Sequence, residues 1–213
     1  MPARTSRRGT RADVDLIDGI RTRRSLRQLA ERPVPQELID EVLALAATAP
    51  APHHTRPWRY VIVRPGSRRA LAERMGAAWR ADLERDGHPE ELIARLLSKS
   101  ERQITSAPAL ILACLTHEGL RDWPDERRAR NEWAMAQQSI GAGMQNMMLA
   151  AHARGLASYW ISAPLFAPEA CRAALDLPED YVAQAFIVLG YPAEGAAPRP
   201  RPAADMSELV IER

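Results

Sequence analysis

A chain of 213 residues, 46% hydrophobic and 26% charged, can bury one substantial core and is short for two average domains. Its formal charge of +2 at pH 7 gives no global reason to bind nucleic acid or an anionic membrane, and no run of eighteen apolar residues is present. The opening "MPARTSRRGTRADV" holds no apolar segment of the signal-peptide kind, so a cytoplasmic protein is expected, with neither nucleic acid nor membrane as partner.

Residues 1–12 hold Arg4, Arg7, Arg8 and Arg11 with almost nothing apolar, the pattern of a disordered, solvated basic tail. The folded domain is expected over 13–213. Val14, Ile17 and Ile20 share a helical face that leads into "RTRRSLR", and "VPQELIDEVLALAATAP" predicts a second helix, with Pro35 in its first turn and Leu38, Val42, Leu45 and Ala46 at helical spacing. Pro50 ends it. "APAPHHTRPWRYVIV" then sets a stiff, polar loop before a strand at Tyr60–Val63, and functional groups concentrate on loops that a rigid scaffold positions.

Ser67 is expected to cap a helix running through Trp79 or beyond, and "HPEELIARLLSKSERQIT" to form another with Leu92, Ile93, Leu96 and Leu97 as its stripe. "PALILACL" is a continuous apolar run of strand length, consistent with a strand covered on both faces. From about Glu126 to Arg154, Trp133, Ala136, Ile140, Met144, Met147 and Ala151 predict a long central helix. Its two glycines in "SIGAGMQ" each cost about 1 kcal/mol relative to alanine, so close packing is expected there, inside the core or across a subunit interface. "GLASYWIS" predicts a helix end and a short strand, 168–175 a short helix, and "AQAFIVLGYP" the last central strand. The Pro-rich end closes on a short apolar segment fit to dock on a neighbour. Helices alternating with few apolar strands predict an α+β or three-layer sandwich.

Of the 29 basic residues only Lys99 is a lysine, and Cys114 and Cys171 lie far apart with neither a metal nor a disulfide spacing, so both read as buried, inert thiols. Three separated places could bind an anion: Arg21, Arg23, Arg24, Ser25 and Arg27; His53, His54 and Arg56; and Arg199 with Arg201. No GxGxxG or GxxxxGK[ST] loop is present, so arginines must hold any phosphate. A solvated helix end explains "RRSLR" equally well on local grounds. Adjacent histidines do not converge on one ion without a third ligand, so no metal is expected.

"IRTRRSLR", "APAPHHTRPWRYVIV", "GLASYWI", "GYP" and a late "RPR", in that order over roughly Leu16 to Ile211, resemble the FMN-dependent nitroreductase family. The resemblance implies a nitroreductase-like three-layer α+β sandwich, with a central, mostly antiparallel sheet flanked by helices, in an intertwined homodimer holding FMN at the subunit interface. By position, Arg23, Arg24, Ser25, Leu26 and Arg27 match the flavin segment, Arg27 facing the negative charge of reduced flavin. Pro50, Ala51 and His54 match a loop lent by the other subunit, Trp160, Ile161 and Ser162 the flavin's far edge, and Arg199 and Arg201 the phosphate pair. The common loop has Ser, Asn and Gln where this chain has Ala51, His54 and Arg56. That variant, with "WRADLERDG" and "PAAD", is similar to the C-terminal nitroreductase-like domain of the γ-glutamyl ligase that builds the deazaflavin coenzyme F-420.

This closer likeness implies reduction of a deazaflavin precursor, with coenzyme F-420 as ligand or product. It places Arg56, Arg80 and Leu83 at the substrate, makes His54 the donor of any proton, and makes a separate γ-glutamyl ligase the implied partner. A general NAD(P)H nitroreductase or quinone reductase, and a flavin- or deazaflavin-binding protein without turnover, remain as alternatives.

Overall fold

The computed structural model describes residues 15–213, so the basic tail read at 1–12 lies outside the described residues. Helix α1, Leu16–Thr22, starts where the Asp15 carboxylate accepts from the backbone N–H of Ile17 at 2.9 Å. Leu16, Ile17 and Ile20 stay largely exposed. Helix α2, Gln36–Ala46, follows Pro35 and buries Ile39, Val42 and Ala46, whereas Leu45, expected on that stripe, points outward. A single 3-10 turn at Pro52–His54 precedes β1, Trp58–Ile62.

Helix α3 is Pro65–Arg85 and α4 Glu90–Thr105. The start of α3 corrects the sequence reading. Pro65 occupies the first helical position, where its fixed φ suits the helix and its missing N–H costs nothing, so Ser67 sits inside the first turn rather than capping it. There follow β2 (Ala109–Leu115), α5 (Glu126–Ala153), β3 (Ala157–Ile161), α6 (Ala163–Phe166), α7 (Pro168–Leu175), β4 (Val182–Gly190) and α8 (Met206–Leu209).

The strands form one sheet in the order β1-β2-β4-β3, antiparallel throughout. Side chains of a strand alternate between faces, and β2 shows why its sequence is uniformly apolar. Ile111, Ala113 and Leu115 pack with α2 and α5, while Leu110, Leu112 and Cys114 pack with α3 and Cys171 of α7. This is the expected three-layer arrangement, with helices on both faces of the sheet. Burial pushes both thiols up to about 12, so neither ionises near neutral pH. Arg68 is buried too. Its guanidinium donates to the carbonyls of Val63 at 3.1 Å and of Ala107, tying the start of α3 to the chain just before β2.

Of the two glycines flagged in α5, Gly143 is the one under close packing. A Cβ there would collide with the Tyr60 hydroxyl and stand 3.2 Å from the Ala46 carbonyl, whereas one at Gly141 meets nothing.

Candidate functional site

After α1 the chain leaves the helical layer and lies along the outer edge of the sheet. Ser25 bridges Ser158 in parallel, the Leu26 N–H donates to the Ser158 carbonyl at 3.2 Å, and Ala30 N–H to the Tyr191 carbonyl at 2.9 Å. Thr22 Oγ1 lies 2.8 Å from His152 Nε2, and Arg32 stacks on Tyr191 at 3.9 Å, so the segment is pinned at both ends. The C-terminal "RPR" closes over it. Arg24 Nη2 donates to the Arg199 carbonyl at 2.5 Å, and Arg201 Nη2 to the Arg23 carbonyl at 2.8 Å. Two arginine motifs about 175 residues apart thus become one cluster.

The cluster holds more positive charge than it neutralises. Burial, followed by Arg201 and Arg24, lowers the Arg23 pKa, and its Nη1 is buried without a hydrogen-bond partner. A partly buried cation with one nitrogen lacking an acceptor among the described residues is costly unless an anion pairs with it. The same field, after burial, lowers the pKa of His152 through Arg23. Beside the cluster lies a chamber of about 440 Å³, lined by Arg27, Arg199, Trp160, Ile161, Trp79 and Lys99 among others. Arg27 also sits 5.5 Å above the Tyr159 ring. A further chamber of about 530 Å³ adjoins it and includes Ser162.

The loop "HHTR" lies elsewhere. Trp58 pairs with Leu115 at one end of β2, whereas Ser25 is in line, through Ser158 and Leu189, with Ala109 at the other. β1 and β3 are also opposite edges, about 14 Å apart across three strand spacings of about 4.8 Å. Pro50, Ala51, His54 and Arg56 therefore stand diagonally across the sheet from Arg23, Arg24, Ser25, Leu26, Arg27, Trp160, Arg199 and Arg201. Within one chain the loop and the arginine cluster do not meet.

The loop itself is under strain. His53, His54 and Arg56 have φ of 54°, 58° and 51°, a left-handed conformation costing about 1 kcal/mol or more for each non-glycine residue. No described residue hydrogen-bonds the His54 ring or the Arg56 guanidinium. Besides the bonds from Thr55 Oγ1 to the Pro52 carbonyl at 2.9 Å and from Arg59 to the Arg56 carbonyl at 3.2 Å, the loop meets a network the sequence did not reveal. Arg121 Nη2 lies 3.4 Å from His53 Nδ1, and the Arg121 N–H donates to Glu132 Oε1 at 3.3 Å. Trp123 Nε1 donates to Glu132 Oε2 at 3.1 Å, and His117 stacks on Trp133 at 4.7 Å. Glu132 is only 4% exposed.

The Trp123 hydrogen bond, then the Arg121 N–H and the charges of His53 and Arg121, hold the Glu132 carboxyl below its usual range against the opposing effect of burial. A carboxylate with a depressed folded-state pKa contributes stability above its unfolded pKa and loses it as pH falls through the folded one. Glu132→Gln should therefore lower the melting temperature at pH 7, and the gap to wild type should close as pH falls below about 4. Melting curves at pH 7 and at acid pH check this; a constant gap would assign the loss to packing instead.

Arg80 and Leu83 line neither of these two chambers. Arg80 is paired with Glu90 at 2.8 Å and Glu84 at 3.3 Å, and Leu83 is a buried side chain of α3. Their side of α3 faces α4 and the core, and it is Trp79, Asp82 and Asp86 that line the chambers. Trp79 stands in the quoted segment "WRADLERDG", and Lys99 was visible as the single lysine. Neither signal named a role.

Residues 20–191 match the nitroreductase family. The chain belongs to the nitroreductase family, and it is an oxidoreductase of that family. It is 34% identical over 196 residues to an NADH dehydrogenase of Thermus thermophilus, covering 84% of this chain and 87% of that protein. It is 30% identical over 203 residues to the 5,6-dimethylbenzimidazole synthase of Rhodospirillum rubrum, covering 88% and 89%. Among solved structures, a BluB-like flavoprotein from Clostridium difficile superposes with a TM-score of 0.77 at 20% identity, covering 94% and 99%. The FMN-dependent nitroreductase NfnB from Mycobacterium smegmatis, in complex with NADPH, gives 0.70 at 23% identity, covering 93% and 100%. These two establish the fold.

Proposed function

We propose that this FMN-dependent NAD(P)H oxidoreductase reduces an anionic, unsaturated acceptor of the deazaflavin-precursor class. The observation that carries the cofactor is the arginine cluster, whose buried, unpartnered Arg23 Nη1 fits a phosphate dianion. Arg23, Arg24, Arg199 and Arg201 would hold that phosphate, and Arg27, Trp160, Ile161 and Ser162 the ring system. When bound, FMN would supply two-electron hydride chemistry, with NAD(P)H as the reductant. Arg27 contributes a fixed positive charge where reduction develops negative charge, with little reorganisation in a partly dry site.

The diagonal half-sites favour a homodimer, in which the loop of one protomer completes the arginine site of the other. The covered region would include the exposed Leu16, Ile17 and Ile20 of α1 and the apolar end at Met206, Leu209, Val210 and Ile211. His54 and Arg56, whose side chains no described residue hydrogen-bonds and whose backbone is left-handed, would then meet the carboxylates or phosphodiester of the acceptor, and His54 would donate the proton that completes the reduction. The second reading is a general nitro- or quinone reductase, favoured by the Thermus thermophilus NADH dehydrogenase relative and by the two tryptophans, Trp79 and Trp160, that line the chamber.

The deciding experiment is purification, mass identification of the released chromophore, and NAD(P)H oxidation with the dehydro deazaflavin precursor beside a nitrofuran. Bound FMN with turnover of the precursor supports the proposal. Turnover of the nitrofuran alone moves the chain to the general reading, and a colourless protein that takes up no FMN removes both.

A further inference from the structure

The cleft does not end at the flavin chamber. Its extension of about 530 Å³ shares Trp79, Ser100 and Ala163 with that chamber and runs on between α3 and α6. The volume is that of a small-molecule site. Met75, Trp79 and Phe166 give it aromatic and apolar walls, and Phe166 is 80% exposed on a four-residue helix. An exposed aromatic ring at the rim of a cleft is available to stack on a ligand seated there.

The charges at the mouth are unequal. Asp82 is committed to Arg85 at 2.9 Å, whereas no described residue pairs with the Asp86 carboxylate, which lines the same chamber. A free carboxylate accepts hydrogen bonds and repels acids, so it rewards a ring bearing N–H or O–H groups and penalises one bearing a carboxylate. We propose that this second chamber seats the aromatic body of the electron acceptor, stacked between Trp79 and Phe166, and that Asp86 selects rings with a hydrogen-bond donor. The assignment of the occupant as acceptor rests on the reductase reading; the ligand class is set by the chamber itself.

A matched pair of probes separates the effects: 4-nitrobenzyl alcohol, neutral with a donor, and 4-nitrobenzoate, similar in size and anionic. Each is titrated calorimetrically into oxidised, FMN-loaded protein without NAD(P)H, so no turnover intervenes. The variants are Phe166→Ala and Asp86→Asn, which line this chamber and not the flavin chamber, and FMN absorbance is the control. Wild type should prefer the alcohol. Phe166→Ala should weaken both probes about tenfold, the scale of a lost apolar wall, and Asp86→Asn should bring the two affinities together. Unchanged affinities and ratio in both variants, or a wild type that binds neither probe, would overturn the chamber assignment. Loss of FMN from either variant would place its side chain in the flavin site and overturn it equally. Probe binding as expected, with no acceptor ever reduced, would keep the chamber and remove the reductase reading.

Discussion

Arg23→Ala is expected to bind FMN about ten- to a hundredfold more weakly than wild type, from the loss of a charge-assisted hydrogen bond of about 1.5–3 kcal/mol. The cofactor-free protein should respond in the opposite sense. Without a bound anion the Arg23 guanidinium is partly desolvated, faces Arg201 and Arg24, and has one buried nitrogen with no acceptor among the described residues, all of which oppose the folded state. The Arg23 backbone carbonyl still accepts from Arg201 in the variant, so the C-terminal segment keeps its anchor. The apo melting temperature should therefore stay level or rise by a few degrees, a scale of about 2–4 °C per kcal/mol for a chain of this size. The increment on adding FMN should shrink at the same time. Fluorescence titration of FMN and melting curves with and without it check both halves. A fall in the apo melting temperature with unchanged FMN affinity would make Arg23 a structural residue and dissolve the proposed phosphate site.

That prediction depends on a contact no local reading contains. Arg23 and Arg24 meet Arg199 and Arg201 only because the chain doubles back along the β3 edge, and residues near the termini carry no mark of which edge they will share. Family resemblance supplied the pairing. What local physics made legible was of another kind: the apolar run at 109–115 had to be a doubly covered strand, and the spacing from Trp133 to Ala151 had to be a helix with one buried face. Leu45 was misplaced because a wide apolar stripe does not say which flank reaches the core. Ser67 was misplaced because a proline two residues earlier outranks a serine as a helix start. The left-handed loop at His53, His54 and Arg56 was illegible for a sharper reason, since that conformation normally announces itself by glycine or asparagine. Here side chains with a steric penalty hold it instead, and the Arg121 contact to His53 comes from a distant part of the chain that local reading does not reach.

Gly143→Ala should destabilise the protein even though alanine is the better helix former by about 1 kcal/mol. The new Cβ would overlap the Tyr60 hydroxyl, stand 3.2 Å from the Ala46 carbonyl and 3.6 Å from the Ala49 Cβ, and overpacking of this sort costs about 1–3 kcal/mol. The closest obstacle is a single oxygen atom, which makes the cause separable. Tyr60 Oη is buried without a hydrogen-bond partner, and burial holds its pKa above the ordinary phenol range. Tyr60→Phe removes an unsatisfied donor and should be neutral or stabilising, since a buried orphan group costs about 1–3 kcal/mol. In the Tyr60→Phe background, Gly143→Ala loses its main collision while keeping its helix preference, so the substitution should change from harmful to near neutral. The double-mutant cycle should then show a coupling of about 1–2 kcal/mol, read from denaturant midpoints at constant m-value. Additive effects would mean that the Ala46 carbonyl, not the Tyr60 hydroxyl, sets the close approach of α5 to α2, and that the sheet edge at β1 has no part in it.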